Sequence, residues 1–194
     1  MKRIAMAVLL AAASSGSFAA AESYTIEPSH TYPSFEASHM GISFWRGKFN
    51  SSVGKVSLDR VAKTGTVDIS IEAKSVDFGH DKMNEHARGT DFFNSEKFPL
   101  ITYKGTIIFT GDTPSSVDGE LTMLGVTKQV KLAIASFTCI PHPFYKKEVC
   151  GADATGVFDR VDFGMDYGAK YGPTLAKLAI QVEALRDIAG GPRN

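Results

Sequence analysis

Two cysteines and five histidines carry most of the chemistry this chain could perform. Cys139 and Cys150 enclose a ten-residue segment with two prolines, Pro141 and Pro143, between two strand-like runs. A catalytic dithiol usually spaces its cysteines by two residues. This pair therefore reads as a structural disulfide at the mouth of a hairpin, a bridge that contributes roughly 3 kcal/mol in the chain-entropy model. His80, Asp81, Glu85 and His86 cluster around one short segment and carry metal-ligand atom types. On a helix, however, His80 and His86 face different sides, so two-point chelation is awkward and surface or packing roles are the plainer reading. His39 shares the parity of Phe35 and Ala37 on an inward strand face. It is either a satisfied core histidine or a polar contact to the head of a buried ligand. Arg88 lies near Asp91, and Arg160 near Asp159 and Asp162, so local ion pairs are their first reading. No Gly-x-Ser-x-Gly elbow, Gly-x-Gly-x-x-Gly turn, phosphate loop or His-Glu-x-x-His motif occurs, and no catalytic or metal set is assigned.

The elements that must position these groups are strands. Val67, Ile69, Ile71 and Ala73 alternate with Asp68, Ser70 and Glu72, as expected of a half-buried strand. The same period recurs in Ile101, Tyr103, Ile107 and Phe109, in Val130, Leu132 and Ile134, and in Leu178, Ile180 and Val182. Weaker runs cover Tyr24 to Ile26, Phe35 to His39, Trp45 to Val56, Val117 to Leu124 and Cys150 to Arg160. Turn signals at Asn50-Ser51-Ser52, Thr64-Gly65, Thr110 to Pro114 and Leu124 to Thr127 separate them. About eight strands joined by short turns predict an antiparallel meander, and closure into a barrel removes the edges an open sheet would expose. One short helix is expected over Asp81 to Arg88, capped by Asp81 and stopped by Gly89, with a second short helix or loop over Gly164 to Pro173. The fold class is all-β, an antiparallel barrel with one or two short helices.

Parity converges Phe35, Trp45, Phe49, Ile69, Ile71, Tyr103, Ile107, Met123 and Ile180 on one lumen, with Phe92, Phe93 and Phe98 at a mouth. A barrel of about eight strands either fills with its own side chains or holds one small ligand. Inward glycines at Gly47 and Gly105 leave space and favour a cavity.

The N-terminus places this barrel. Lys2 and Arg3, the apolar run Ile4 to Ala13 and the small residues up to Ala21 read as a cleaved secretory signal over 1–21. About ten apolar residues are too few to span a bilayer core of roughly 30 Å, so stable membrane insertion is not expected. The remaining roughly 170 residues suit one domain, over 22–189, with a frayed tail over 190–194. Basic and acidic residues balance at 21 each, and cleavage removes Lys2 and Arg3, which disfavours a nucleic-acid partner. Lys146-Lys147 reads as solvated surface.

Several blocks in register resemble the YceI-like family. They are Ile26-Glu27-Pro28-Ser29-His30-Thr31, Phe35 through His39-Met40-Gly41 to Gly47-Lys48-Phe49, Asp91-Phe92-Phe93 with Lys97-Phe98-Pro99-Leu100-Ile101-Thr102, Gly119-Glu120-Leu121-Thr122 leading into Gly125-Val126-Thr127-Lys128, and Arg160-Val161-Asp162-Phe163-Gly164. The resemblance covers essentially the whole mature chain. It implies a lipocalin-like barrel, exported to the bacterial periplasm, that binds a polyisoprenoid or similar long amphiphile in its lumen. His30-Thr31 and Tyr32-Pro33 depart from the family's pattern at one end of the pocket, and the Cys139 to Cys150 loop looks like a subgroup feature.

Together these readings predict a non-enzymatic periplasmic carrier with no cofactor, whose partner is a long-chain isoprenoid, quinone-like or fatty amphiphile. The expected ligand-binding residues are Phe35, His39, Trp45, Phe49, Ile69, Ile71, Arg88, Asp91, Phe92, Phe93, Tyr103 and Met123, with His39, Arg88 and Asp91 near the head group. An enzyme acting on a bound isoprenoid or quinone-type lipid through His39 or His86 is the competing expectation, and a barrel filled by its own side chains is the third. A homodimer through an edge or loop is compatible with the sequence.

Overall fold

A computed structural model of the chain describes residues 21–188. The signal segment expected over 1–21, apart from Ala21, and the tail expected over 190–194 lie outside the described residues. The strands are β1 (Glu22–Ile26), β2 (Tyr32–His39), β3 (Ser43–Phe49), β4 (Ser52–Asp59), β5 (Thr64–Glu72) and β6 (Val76–Asp77), followed by helix α1 (Asp81–Arg88). After the helix come β7 (Leu100–Thr110), β8 (Thr113–Met123), β9 (Val126–Gln129), β10 (Leu132–Pro141), β11 (Glu148–Asp159) and β12 (Leu175–Arg186).

Around the ring the order is β1, β4, β5, β7, β8, β10, β11 and β12, and β12 pairs back onto β1. The molecule is therefore the closed eight-stranded antiparallel barrel expected from the alternation, of the lipocalin-like type that the family resemblance implies. Two of the eight staves are each built in two pieces. Pro28 has no amide hydrogen to donate, and a 3₁₀ turn over Pro28–His30 divides β1 from β2. Asn50 and Ser51 divide β3 from β4, so the run Trp45 to Val56 is two strands meeting at its turn signal. β12 spans both halves, pairing Ala176–Gln181 with β2 and Ala184–Arg186 with β1.

The inward parity holds through the walls. On β5, Ile71 is buried while Glu72 is exposed; on β7, Ile101, Tyr103 and Ile107 are buried while Lys104 and Thr106 are exposed. The outward faces are tied by cross-strand ion pairs such as Asp68 with Lys104 at 2.9 Å. Val130, expected in the same strand as Leu132, falls between β9 and β10. It remains buried because its amide donates to the Gly119 carbonyl at 2.8 Å and its own carbonyl accepts from the Tyr103 hydroxyl at 2.8 Å.

Glycines on the inner wall admit rings rather than leave voids. A Cβ at Gly47 would lie 2.8 Å from the Phe78 ring and 2.9 Å from the Phe35 ring, and one at Gly119 would lie 2.5 Å from Tyr103. At Gly105 the neighbours are Val117 and the backbone of β8, so neither expected gap is open space.

Helix α1 has the expected bounds but a different cap. His80 lies in the extended region outside the helix and its ring accepts the Met83 amide at 3.2 Å, whereas Asp81 already sits in the first turn, where its charge favours the N-terminal dipole. Ala87 is buried inward, and Gly89 donates to the His86 carbonyl at the other end. Over Gly164 to Pro173 the chain forms a glycine-punctuated loop with one 3₁₀ turn at Ala169–Tyr171.

Candidate functional site

The barrel encloses an apolar cavity of about 890 Å³, within the roughly 300–1,000 Å³ typical of small-molecule sites. Its walls are the inward residues of the strands: Val67, Ile69 and Ile71 from β5, Ile101, Tyr103 and Ile107 from β7, Val117, Leu121 and Met123 from β8, and Leu178, Ile180 and Val182 from β12. Alternation makes this surface. Every second residue of each strand faces one lumen, where branched and aromatic side chains alternate with small ones such as Ala37, Ala152, Ala154 and Ala176.

One end of the cavity is sealed. Tyr24 is fully buried, with its hydroxyl oxygen 2.8 Å from Glu22 Oε2 and 2.6 Å from Glu148 Oε1, and it donates its single proton to one of them. Arg60 donates to both carboxylates, at 2.9 Å and 3.0 Å, and Arg186 pairs with Glu22. Burial and the two flanking carboxylates push the Tyr24 hydroxyl well above its ordinary pKa, which keeps it a neutral donor. Burial alone would raise the Glu22 carboxyl, but hydrogen bonds from Tyr24 and Arg60 and the charge of Arg186 outweigh it and hold Glu22 below the usual range. The Cys139–Cys150 disulfide lies at this end, joining directly opposed residues of β10 and β11. Cys139, Glu148 and Cys150 lie close enough to hold a metal ion, but the disulfide consumes both sulfurs.

The other end is a mouth, framed by the β2–β3 hairpin, α1 and the loop after β11. Rings line it in two edge-to-face chains. His39 meets Trp45 at 6.2 Å, Trp45 meets Phe78 at 5.9 Å, and Phe78 meets Phe35 at 5.5 Å; across the opening, His86, Phe92 and Tyr167 lie 5.0–5.5 Å from one another. Phe35, Phe49 and Phe93 continue the aromatic surface inward.

The structure brings ten of the twelve expected ligand-binding residues to this one cavity: Phe35, His39, Trp45, Phe49, Ile69, Ile71, Phe92, Phe93, Tyr103 and Met123. Arg88 and Asp91 lie elsewhere. Arg88 donates to the Val76 carbonyl at 3.3 Å, and Asp91 pairs with His86 at 3.0 Å. Sequence reasoning also misplaced Arg160. Instead of pairing with Asp159 or Asp162, it lines the cavity and donates to the Met165 carbonyl, because a left-handed turn at Gly164 folds the following loop back over it. The mouth residues Tyr167, Lys170 and Tyr171 come from that loop. Its many glycines hide it from periodicity; the visible signal was the block Arg160 to Gly164. Phe98, expected at a mouth, instead covers Gly125. No helix among the described residues is long and apolar enough to cross a membrane.

The description of a YceI-like domain matches residues 24–184. The chain is 35% identical over 171 residues to a UPF0312 protein of Vibrio cholerae, covering 85% of this chain and 89% of that one. It is 30% identical over 174 residues to a UPF0312 protein of a Shewanella species, covering 87% and 90%. Among solved structures it resembles the Campylobacter jejuni YCEI protein, with a TM-score of 0.66 at 24% identity over 78% of this chain and 91% of that one. It also resembles a polyisoprenoid binding domain from Saccharophagus degradans implicated in plant cell wall breakdown, with a TM-score of 0.58 at 13% identity over 84% and 98%. At these identities the two structures establish the fold.

Proposed function

The chain belongs to the YceI-like family, and from that premise we propose that it is a non-enzymatic carrier that holds one long isoprenoid or similar amphiphile in its barrel, in the periplasm. The observation that carries this reading is an apolar cavity lined by buried side chains at its Tyr24 end, with the exposed lining residues Met40, Tyr167, Lys170 and Tyr171 gathered at the Trp45 end. A tail threads inward past the aromatic rings and stops at the Tyr24 network, leaving its head at the mouth. Each buried methylene contributes roughly 0.8 kcal/mol, so a chain of about twenty carbons gains enough to outweigh the ordering cost of binding. Walls of branched and aromatic side chains select a long apolar chain without selecting its head. The solved polyisoprenoid binding domain with this fold supports the ligand class, and the charged, apolar and small-residue order over 1–21 supports export.

Trp45 is the chain's one tryptophan and lines the mouth, so its fluorescence reports occupancy. Titration of delipidated protein with the twenty-carbon geranylgeraniol is expected to shift Trp45 emission and saturate at one per chain, while the ten-carbon geraniol binds at least about a hundredfold more weakly. Equal affinity for the two alcohols, or no saturable change with either, would contradict the reading.

A further inference from the structure

The cavity wall is charged at one place only and with one sign. Among the described residues lining it there is no aspartate or glutamate, and its two permanent charges, Arg160 and Lys170, both stand at the mouth. Arg46, Arg60 and Arg186 each have a carboxylate partner, whereas among the described residues Arg88 and Arg160 have none within 4.0 Å, and of these two only Arg160 lines the cavity. One of its N–H groups donates to the Met165 carbonyl, and its remaining donors meet no protein acceptor there. The nearby Asp159 carboxylate accepts the Val161 amide at 3.2 Å, and Asp166 is exposed. Burial lowers the Arg160 pKa, with Asp159 and Asp166 partly opposing it. A guanidinium nonetheless stays charged at neutral pH. Lys170 is exposed, its ammonium 4.9 Å from the centre of the Tyr171 ring, and it has no carboxylate partner among the described residues.

We propose that Arg160 and Lys170 form a head-group site for an oxyanion, so that the ligand is an amphiphile with a carboxylate or phosphate head. The inference rests on the reading of the cavity as a tail site. A bound tail would bring its head against Arg160 and displace water that still solvates the guanidinium. A buried cation without a partner is costly, and an anion offsets that cost where an alcohol or amide does not. The planar fork of Arg160 matches a carboxylate or phosphate in two parallel hydrogen bonds, and Lys170 adds a mobile point charge.

Two probe pairs with matched tails test the head separately from the tail: palmitate against palmitamide, and farnesyl monophosphate against farnesol, each read by Trp45 emission and by calorimetry. In the wild-type protein the anion of at least one pair is expected to bind about tenfold more tightly than its neutral partner, equivalent to about 1.4 kcal/mol. The favoured pair identifies the head as carboxylate or phosphate. Arg160→Gln should bring the ratio close to one, Arg160→Lys should restore part of it, and Lys170→Gln, at an exposed side chain where folding is not at issue, should reduce it two- to threefold. Equal binding within both pairs, or an anion preference unchanged by both glutamine variants, overturns the proposal and leaves the tail site standing. If no probe of either pair binds, the tail site and the head-group proposal fall together.

Discussion

The two ends of the barrel use the same kinds of side chain to opposite effect. At the sealed end, Tyr24, Glu22, Glu148, Arg60 and Arg186 satisfy one another around a buried hydroxyl. Here β1 meets β12 and closes the ring, and a disulfide ties the neighbouring hairpin. At the mouth, Arg160 and Lys170 have no carboxylate partner among the described residues, and Met40, Ile42, Tyr167 and Tyr171 are more than half exposed. Buried polar groups with complete partners rigidify a structure, whereas groups left incomplete have capacity for a partner from outside. Under the proposed function, stability rests on one end and binding on the other. Substitutions at the two ends should separate these properties.

The largest effect is expected from removing the bridge at the sealed end. Replacing both Cys139 and Cys150 by serine should cost about 2–4 kcal/mol in chemical denaturation and leave the ratio of anionic to neutral ligand affinity unchanged, since the mouth lies at the opposite end. Tyr24→Phe comes next. It removes the donor shared by Glu22 and Glu148 and leaves those two half-buried carboxylate oxygens to Arg60 alone, which should cost about 1 kcal/mol. A loss below about 0.5 kcal/mol would mean that the network is not holding the seam.

Acid should weaken this same seam. Glu22 and Asp187 both have depressed folded pKa values, Asp187 falling from 3.8 to about 2. Burial alone would raise Asp187, but hydrogen bonds from Thr25, Lys55 and Ser23 outweigh it. Stability from such groups is fully present above their unfolded pKa and is lost as pH falls through the folded value. Denaturation midpoints should therefore hold near neutrality, decline from about pH 4.5 toward pH 2, and decline less in Asp187→Asn. An identical acid profile in that variant would remove Asp187 from the account. The smallest effect on stability is expected at the mouth, where Tyr171→Ser should change it by less than about 0.5 kcal/mol while weakening binding of long amphiphiles severalfold. Equal losses in stability at Tyr171 and Tyr24 would erase the distinction between the two ends.

The walls of this molecule were legible in the sequence and the mouth was not. Ile69, Ile71, Tyr103 and Ile180 could be assigned to the lumen because a pleated strand converts alternation into facing with no further information. The helix bounds were legible from Asp81 and the stop at Gly89, but its cap was not: histidine is an uncommon cap, and only the extended backbone of His80 reveals it. Arg88 and Asp91 are expected as polar residues near a mouth, beside a ligand head, yet the first turns to the Val76 carbonyl and the second to His86. Arg160 was read as a surface ion pair for the converse reason. Its neighbours in sequence are acidic, but the turn at Gly164 sets its neighbours in space. Loops obey tertiary contacts rather than a period, so their side chains escape any argument from spacing.

The central claim is that the lumen holds a ligand and is not merely a core with slack in it. It is tested most directly by expressing the chain in a bacterium that exports it, purifying it without detergent, and analysing an organic-solvent extract by mass spectrometry beside intact-mass measurement under native conditions. The account predicts one long-chain amphiphile per protein, released on extraction, with its amount sharply reduced in Ile71→Asp and retained in Glu72→Lys, one residue along and facing outward. A native mass equal to that of the polypeptide alone, an extract without a stoichiometric lipid, or equal lipid in the two variants would contradict it.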